Sequence, residues 1–171
     1  CYKTQLELIK SLDVTRPRSF SSCRFKTDIC FDLVDVVSYN IYPKWYHNTP
    51  VAMYLDDLYK WVQTTGGAGK PFLITEVGAG VIYGYRTPAK VKWSEEYQVL
   101  ALEEQLGAIL SYKDCSGVYI WQFCDVRVTN DWWNTRPRTM NNKGIVDEYR
   151  RPKLSYETVK RIFGSVDTYR K

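Results

Sequence analysis

Residues 72–78 read Phe72-Leu73-Ile74-Thr75-Glu76-Val77-Gly78, an apolar run that leads directly into a carboxylate and a glycine. Such a run predicts a buried strand whose end enters a loop. Parallel α/β barrels carry their reactive groups at this end of their strands. Glu76 is therefore the first candidate for catalysis. The alternative is that Glu76 caps a turn or pairs with an arginine.

Length and composition limit the classes of protein that need to be considered. The chain has 171 residues, enough for one domain with a sizeable core. No apolar run approaches the ~18 residues of a membrane span. The net charge of +5 is spread without a basic cluster, so nucleic-acid binding is weakly supported and a small anionic substrate fits equally well. Because the first residue falls within a helical pattern, we interpret the chain as a piece of something longer.

The cysteine and histidine content argues against metal and redox sites. No Cys-x-x-Cys pair occurs, and the odd set of cysteines predicts reduced thiols in a cytoplasmic protein without disulfides; these are Cys1, Cys23, Cys30, Cys115 and Cys124. The single histidine, His47, is expected to be a solvated loop residue. We expect no metal and no cofactor, so acid–base chemistry must depend on carboxylates. The glycine cluster at 66–69 precedes a strand and lacks a phosphate-loop ending, so nucleotide binding is not expected.

Strand and helix patterns alternate along the chain. Apolar runs predict strands over 18–22, 36–40, 72–76 and 117–123, and helical periodicity predicts helices over 2–12, 51–62, 94–112 and 153–163. Ser94 is placed to cap its helix, with Glu95 and Glu96 as structural residues of the first turn. Alternating strands and helices predict an α/β fold with a parallel sheet. Four such units make half of an eight-stranded (β/α)8 barrel.

Nearly thirty residues between Phe123 and Pro152 show no clear periodicity. Loops of this length inside compact domains are uncommon and are usually functional, so we expect this one to shape a pocket. It contains two tryptophans and three arginines, which are Trp132, Trp133, Arg127, Arg136 and Arg138. The arginines either meet an anionic substrate or, as is commoner on long loops, form surface ion pairs.

Several motifs together resemble the C-terminal half, about strands 5–8, of the catalytic TIM barrel of glycoside hydrolase family 2, and most of all its β-glucuronidases. The likeness runs from near the first residue to about Phe163. The motifs fall in the family's order and match strand ends or loops; besides the Glu76 segment they are Asn40-Ile41-Tyr42, Trp93-Ser94-Glu95-Glu96-Tyr97-Gln98, Val118-Tyr119-Ile120-Trp121-Gln122-Phe123 and Asn141-Asn142-Lys143-Gly144-Ile145-Val146. By this resemblance, residues 1–171 are the C-terminal portion of a catalytic domain, and the N-terminal half-barrel and β-sandwich domains are absent.

The resemblance implies a retaining exo-β-glycosidase with a covalent glycosyl-enzyme intermediate. Glu76 then takes the place of the nucleophile and Tyr42 that of the tyrosine that orients it. The partner acid/base, a glutamate in an Asn-Glu pair, is missing because no Asn-Glu dipeptide occurs in the chain. Asp125 and Glu148 are the nearest substitutes, and both have simpler interpretations as loop-fixing or ion-pairing groups.

The resemblance also implies a carbohydrate partner and a set of substrate-binding residues. These are Asn40, Tyr46, Trp121, Asn141 and Lys143. Trp121 would form part of the floor of the sugar site, and the Asn-x-Lys pair would bind the C6 carboxylate of a β-glucuronide. The alternatives are an ordinary turn at residues 141–144 and core packing for Trp121 and Tyr42.

Two further functions stay open. One is a β-galactosidase or β-galacturonidase of the same family. The other belongs to a different class, a non-catalytic half-barrel that self-associates or binds the missing half, because half a barrel leaves edge strands unpaired and apolar surface exposed.

Overall fold

Four parallel strands form one sheet in the computed structural model, which describes residues 2–166. The strands lie in chain order and are β1 (Ser21–Ser22), β2 (Val37–Asn40), β3 (Phe72–Val77) and β4 (Cys115–Ile120). The helices between and after them are α1 (Tyr2–Leu12), α2 (Val51–Thr64), α3 (Glu95–Ser111) and α4 (Leu154–Gly164). The predicted α/β fold with a parallel sheet is confirmed. The predicted strand at 18–22 is shorter, since only two of its residues pair with β2.

The core lies between the sheet and the helices that cover one of its faces. Both β2 and β3 are central strands, with a partner on each side. Their buried side chains pack against α2 and α3, and the fully buried members include Tyr39, Phe72, Ile74, Leu55, Leu58, Leu102 and Leu106. Such runs of apolar residues are expected for parallel strands that are buried in the middle of a sheet.

Helix α3 begins as its sequence predicts. The Ser94 hydroxyl accepts a hydrogen bond from the amide of Tyr97 at 3.2 Å. Glu95 is buried, and its carboxylate accepts from the amides of Gly84 and Leu154 at 2.7 and 2.6 Å. The partly buried Glu96 pairs with Arg86, and this pair lowers the pKa of Glu96 to about 2. Both glutamates thus have the structural roles that the sequence predicts.

Helix α1 differs from its prediction. Leu6 is buried, but Leu8, Ile9 and Leu12 are exposed, although the pattern places all of them on one apolar face. Periodicity identifies an apolar face but cannot show whether a neighbouring element covers it. Within residues 2–166, no helix or strand covers these side chains.

The long loop contains regular structure that its sequence does not reveal. Strands β5 (Val126–Arg127) and β6 (Met140–Asn141) form a short antiparallel ladder, and 3-10 turns fill the span between them. Two-residue strands are too short for an alternating pattern to be recognised. The expectation of a loop without regular structure was therefore wrong.

In the part of the chain that the structure describes, no helix is long and apolar enough to cross a membrane.

His47 departs from its prediction as a solvated residue. Its ring is partly buried and lies 4.8 Å from the Tyr54 ring, centroid to centroid.

Candidate active site

The candidate site lies at the carboxyl ends of β2, β3 and β4. Tyr42, Glu76 and Trp121 follow or end these three neighbouring strands, so parallel pairing brings them to one edge of the sheet. This is the edge at which barrel enzymes carry their active sites. Gly78 has no room for a side chain, because a Cβ atom there would lie 2.4 Å from the Trp121 carbonyl oxygen. The two strand ends can therefore approach closely.

Tyr42 is hydrogen-bonded to the Glu76 carboxylate. The Tyr42 hydroxyl donates a hydrogen bond of 2.6 Å to Oε2 of Glu76. The backbone supports this contact, since the amide of Ile41 donates to the carbonyl of Glu76 at 2.8 Å. Burial and the adjacent carboxylate raise the pKa of Tyr42 far above its usual value, so the phenol remains a donor at all working pH values. The result is a fixed, partly buried carboxylate at a strand end.

A buried lysine lies on the same side of the site. Lys143 is 3% exposed, and its Nζ lies 5.2 to 5.5 Å from the ring centroids of Tyr42, Trp45 and Tyr46. Nζ also donates to the Tyr46 hydroxyl at 3.1 Å. Burial lowers the pKa of Lys143, while Tyr46 and the Glu76 carboxylate act in the opposite direction.

No carboxylate of residues 2–166 forms an ion pair with Lys143. Lysine is almost never fully buried unless it is paired. An aromatic box stabilises a cation, but it does not neutralise its charge. The box around Lys143 therefore suits an incoming anion.

Arg136 belongs to this group, although the sequence did not distinguish it from Arg127 and Arg138. Its guanidinium donates to the Tyr46 hydroxyl at 3.3 Å, so Tyr46 bridges two cationic side chains. Arg127 instead lies over the Trp133 ring, and Arg138 pairs with Glu148. The sequence could not assign this position to Arg136, because the 3-10 turns that place it in the long loop give no periodic signal.

An open cleft lies beside Tyr46 and Arg136. Its volume is about 450 Å³, and it is lined by Trp45, Tyr46, Lys92, Trp93, Trp132, Thr135 and Arg136. The predicted pocket under the long loop corresponds to this cleft. Among residues 2–166 no carboxylate lines it, and its aromatic surfaces are of the kind that pack against sugar rings.

The other predicted site residues lie near this group, and their contacts are mainly structural. Asn40 accepts a hydrogen bond from Thr75 at 2.8 Å, which joins β2 to β3. Asn141 accepts from the backbone amide of Lys143 at 3.4 Å and so shapes the turn that carries the lysine. Trp121 is 38% exposed, so its ring is available to a ligand rather than enclosed in the core.

The two substitute acids are both engaged elsewhere. Asp125 is fully buried against Lys153, and Glu148 pairs with Arg138. Both groups have the structural interpretation that the sequence favoured. Glu76 is thus the candidate nucleophile with the clearest geometry.

Comparison with known proteins identifies the family of the chain. The family model "Glycosyl hydrolases family 2, TIM barrel domain" matches residues 2–168. The chain belongs to glycosyl hydrolase family 2. Its sheet and helices are therefore part of that family's TIM barrel.

Similar proteins of the family include two kinds of uronidase. A β-galacturonidase from Eisenbergiella tayi, solved bound to galacturonate, is 70% identical with a TM-score of 0.97, over 99% of this chain and 30% of that chain. The β-glucuronidase of Rattus norvegicus is 33% identical over 90% of this chain and 24% of its own length. A β-D-glucuronidase structure from Dictyoglomus thermophilum is 25% identical with a TM-score of 0.83, over 96% of this chain and 28% of that chain. The chain thus spans less than a third of each of these proteins.

Removing the Tyr42 hydroxyl should slow turnover without preventing folding. In Tyr42→Phe, Glu76 loses its 2.6 Å donor but keeps its strand position. Hydrogen bonds to charged groups contribute about 1.5–3 kcal/mol, so kcat in the full-length gene product should fall about 10- to 150-fold. Steady-state kinetics measures the fall, and Tyr97→Phe, which removes a phenol that contacts the Lys44 carbonyl, is the control. Equal kinetics for Tyr42→Phe and the unchanged enzyme would contradict the orienting role.

Proposed function

We propose that the chain forms the nucleophile side of the active site of a retaining exo-β-uronidase, which hydrolyses β-linked glycosides of a hexuronic acid. The observation that carries the proposal is the pairing of two features at one strand edge. Glu76 is held by Tyr42, and the same Tyr42 ring forms part of the box around Lys143. A carboxylate that attacks the anomeric carbon and a cation that binds the sugar's own carboxylate are thus only one side chain apart.

Each side chain has a role in the proposed reaction. Glu76 attacks the anomeric carbon, the glycosidic oxygen leaves with a proton from an acid, and water then releases the sugar from the covalent intermediate. Tyr42 keeps Glu76 aimed. Trp121 offers an apolar surface to the C–H side of the ring, and Lys143, Arg136 and Tyr46 bind the C6 carboxylate, with Asn141 and Asn40 completing the site.

The acid/base is supplied, in this proposal, from outside the 171 residues. A retaining enzyme needs a second carboxyl group about 5–5.5 Å from the nucleophile. The chain has no Asn-Glu dipeptide, and both Asp125 and Glu148 have other partners. The 171 residues alone should therefore be inactive.

The isolated chain should also self-associate. Its two edge strands and the exposed Leu8, Ile9 and Leu12 of α1 leave apolar surface and backbone groups uncovered. Light scattering of the isolated chain should show dimers or larger species. A stable monomer would contradict this part of the proposal.

Galacturonides are the favoured substrates among β-uronides. The sequence alone pointed to β-glucuronides, and both sugars carry the same C6 carboxylate but differ in the orientation of one hydroxyl. The 70% identity to a β-galacturonidase, against 33% to a β-glucuronidase, supports the galacturonide. β-Glucuronides remain the second candidate substrates, because the carboxylate clamp formed by Lys143, Arg136 and Tyr46 contacts the carboxylate and not the hydroxyl that distinguishes the two sugars.

A substrate panel tests the proposal in the full-length gene product. The panel contains the 4-nitrophenyl β-glycosides of galacturonic acid, glucuronic acid, galactose and glucose. Both uronides should have a higher kcat/KM than the two neutral glycosides, and kcat/KM for the galacturonide should exceed that for the glucuronide by about tenfold, or ~1.4 kcal/mol. Proton NMR should detect the β-anomer as the first product. A higher kcat/KM for the galactoside than for the uronides would refute the proposed binding of the C6 carboxylate. An α-anomer as the first product would refute retention.

Alkaline pH should weaken binding of the uronide. Burial lowers the pKa of Lys143, so this ammonium loses its proton at a lower pH than an ordinary lysine. Burial acts to raise the pKa of Tyr46, but hydrogen bonds from Arg136 and Lys143 outweigh burial, so the pKa of Tyr46 is lowered overall. An ionised Tyr46 would repel the carboxylate of the sugar. KM for the uronide should thus rise with pH, beginning below 10.5, the usual pKa of lysine, while KM for the matching neutral glycoside stays level. Parallel KM profiles for the two substrates would contradict the prediction.

A further inference from the structure

A second lysine, Lys153, is buried with a carboxylate beneath the candidate site. Its Nζ donates to both carboxylate oxygens of Asp125, at 2.7 and 2.8 Å. Both side chains are 0% exposed. Lys153 immediately precedes α4, and Asp125 lies at the start of the long loop, so the pair joins two segments that are distant in sequence.

The pair binds the peptide groups on either side of Lys143. The amide of Gly144 donates to Oδ1 of Asp125 at 2.9 Å. Lys153 Nζ also lies 3.4 Å from the carbonyl oxygen of Asn142. The residue before Lys143 and the residue after it are therefore held by the two members of one ion pair.

The backbone beside Lys143 packs too closely against its neighbours to accept a side chain at Gly144. A Cβ atom at Gly144 would lie 2.4 Å from the Asp125 nitrogen and 2.3 Å from the Val146 carbonyl oxygen. The Lys143 carbonyl accepts from the amide of Gln122 at 3.1 Å. These contacts fix the backbone from which the Lys143 side chain extends into its aromatic box.

The same pair reaches the loop that follows Glu76. Lys153 Nζ lies 3.5 Å from the carbonyl oxygen of Val81. The Val81 amide in turn donates to the Asn142 carbonyl at 2.8 Å. Lys153 therefore contacts both the loop that follows Glu76 and the turn that carries Lys143.

Stability alone does not explain an ion pair at this position. Burial raises the pKa of Asp125 and lowers that of Lys153, so the buried environment disfavours both charges. Apolar side chains of similar volume can replace many buried ion pairs without loss of stability. What apolar side chains cannot supply is directed hydrogen bonding to the Asn142 carbonyl and the Gly144 amide.

We propose that Asp125 and Lys153 are positioning residues that set the place of Lys143, and through it the selectivity of the site for an acidic sugar over its neutral counterpart. The inference rests on the proposed function, because it requires Lys143 to bind the sugar carboxylate. The pair itself does not touch the substrate. Its effect on selectivity reaches the sugar through the backbone of residues 142–144.

The test is a double variant of the full-length gene product, Asp125→Asn with Lys153→Met. This change removes both charges, nearly preserves volume and leaves an amide oxygen for the Gly144 amide. The matched control is Asp35→Asn with Arg18→Met, the same removal of charge at an ion pair of 2.9 Å near the amino ends of β1 and β2, opposite the site. The readout is kcat/KM for 4-nitrophenyl β-D-galacturonide divided by kcat/KM for the galactoside.

The double variant should lower this ratio by about tenfold or more, mainly by raising KM for the galacturonide. The control should leave the ratio within about twofold, whatever it does to the melting temperature. If the double variant is not recovered as folded protein, Asp125→Glu takes its place, because it keeps the charge pair but displaces the carboxylate from the Gly144 amide, with an expected fall of about threefold or more. An unchanged ratio in a folded variant overturns the proposal and makes the pair purely structural.

Lys143→Met in the same assay separates this inference from the function on which it rests. If Lys143→Met lowers the ratio and the double variant does not, the positioning role fails and the proposed clamp stands. If Lys143→Met leaves the ratio unchanged, the clamp itself is wrong, and the positioning role fails with it.

Discussion

Glu76→Gln should abolish hydrolysis of 4-nitrophenyl β-D-galacturonide by the full-length gene product. The substitution keeps the shape of the side chain and its contact with Tyr42, but an amide cannot form the covalent intermediate. Loss of a nucleophile commonly costs several orders of magnitude in kcat, and a fall of about a thousandfold or more is expected, ~4 kcal/mol in the barrier. Steady-state rates measure it, with circular dichroism to show that the fold is retained.

A small external nucleophile provides the sharper form of this experiment. In Glu76→Ala the space left by the carboxylate can admit azide, which should restore turnover and yield the glycosyl azide of inverted configuration. Glu96→Gln is the control, because Glu96 pairs with Arg86 away from Tyr42 and should leave the rate nearly unchanged. Near-normal turnover in Glu76→Gln would remove Glu76 from the reaction, and the proposed mechanism with it.

Lys143→Met should remove most of the preference for acidic sugars. Methionine fills the aromatic box around Nζ but offers no charge to a carboxylate, whose desolvation would then go uncompensated. A lost hydrogen bond to a charged group contributes up to about 3 kcal/mol, so kcat/KM for the galacturonide should fall about 100-fold. The galactoside carries no carboxylate, so its kcat/KM should change little.

Lys70→Met is the control for this prediction, because Lys70 donates to the Phe31 carbonyl at the amino end of β3, away from the candidate site. Its uronide preference should stay within about threefold of the unchanged enzyme. Equal losses on both substrates in Lys143→Met would show that the lysine supports the fold rather than the choice of sugar.

The sequence predicted the scaffold well because its signals are local. The apolar run at 72–76 and the helical spacing of 51–62 each depend on burial that the pattern itself displays. The exposed side of α1 was mispredicted because burial there depends on what lies next to the helix. The β5–β6 ladder was missed because two-residue strands carry no pattern.

The candidate site was predicted in part for a related reason. Glu76 is recognisable because a carboxylate at the end of an apolar strand is unusual, and its contact with Tyr42 follows from the parallel order of β2 and β3. The motif resemblance pointed to Lys143 and Tyr46, and the structure places them in contact. Arg136, Asp125 and Lys153 join the site through loop geometry, which residue spacing does not encode. The roles of all these residues stay predictions until the variants are measured.

The short ladder of β5 and β6 brings two parts of the long loop together. Arg127 pairs with Met140, directly beside the turn that carries Lys143. The residues between Arg127 and Met140 form a lobe outside this ladder. Insertions or deletions in the lobe that spare Arg136 can therefore reshape the mouth of the cleft while the turn that carries Lys143 keeps its place. Such changes would alter the fit of a leaving group without altering the residues proposed to bind the sugar.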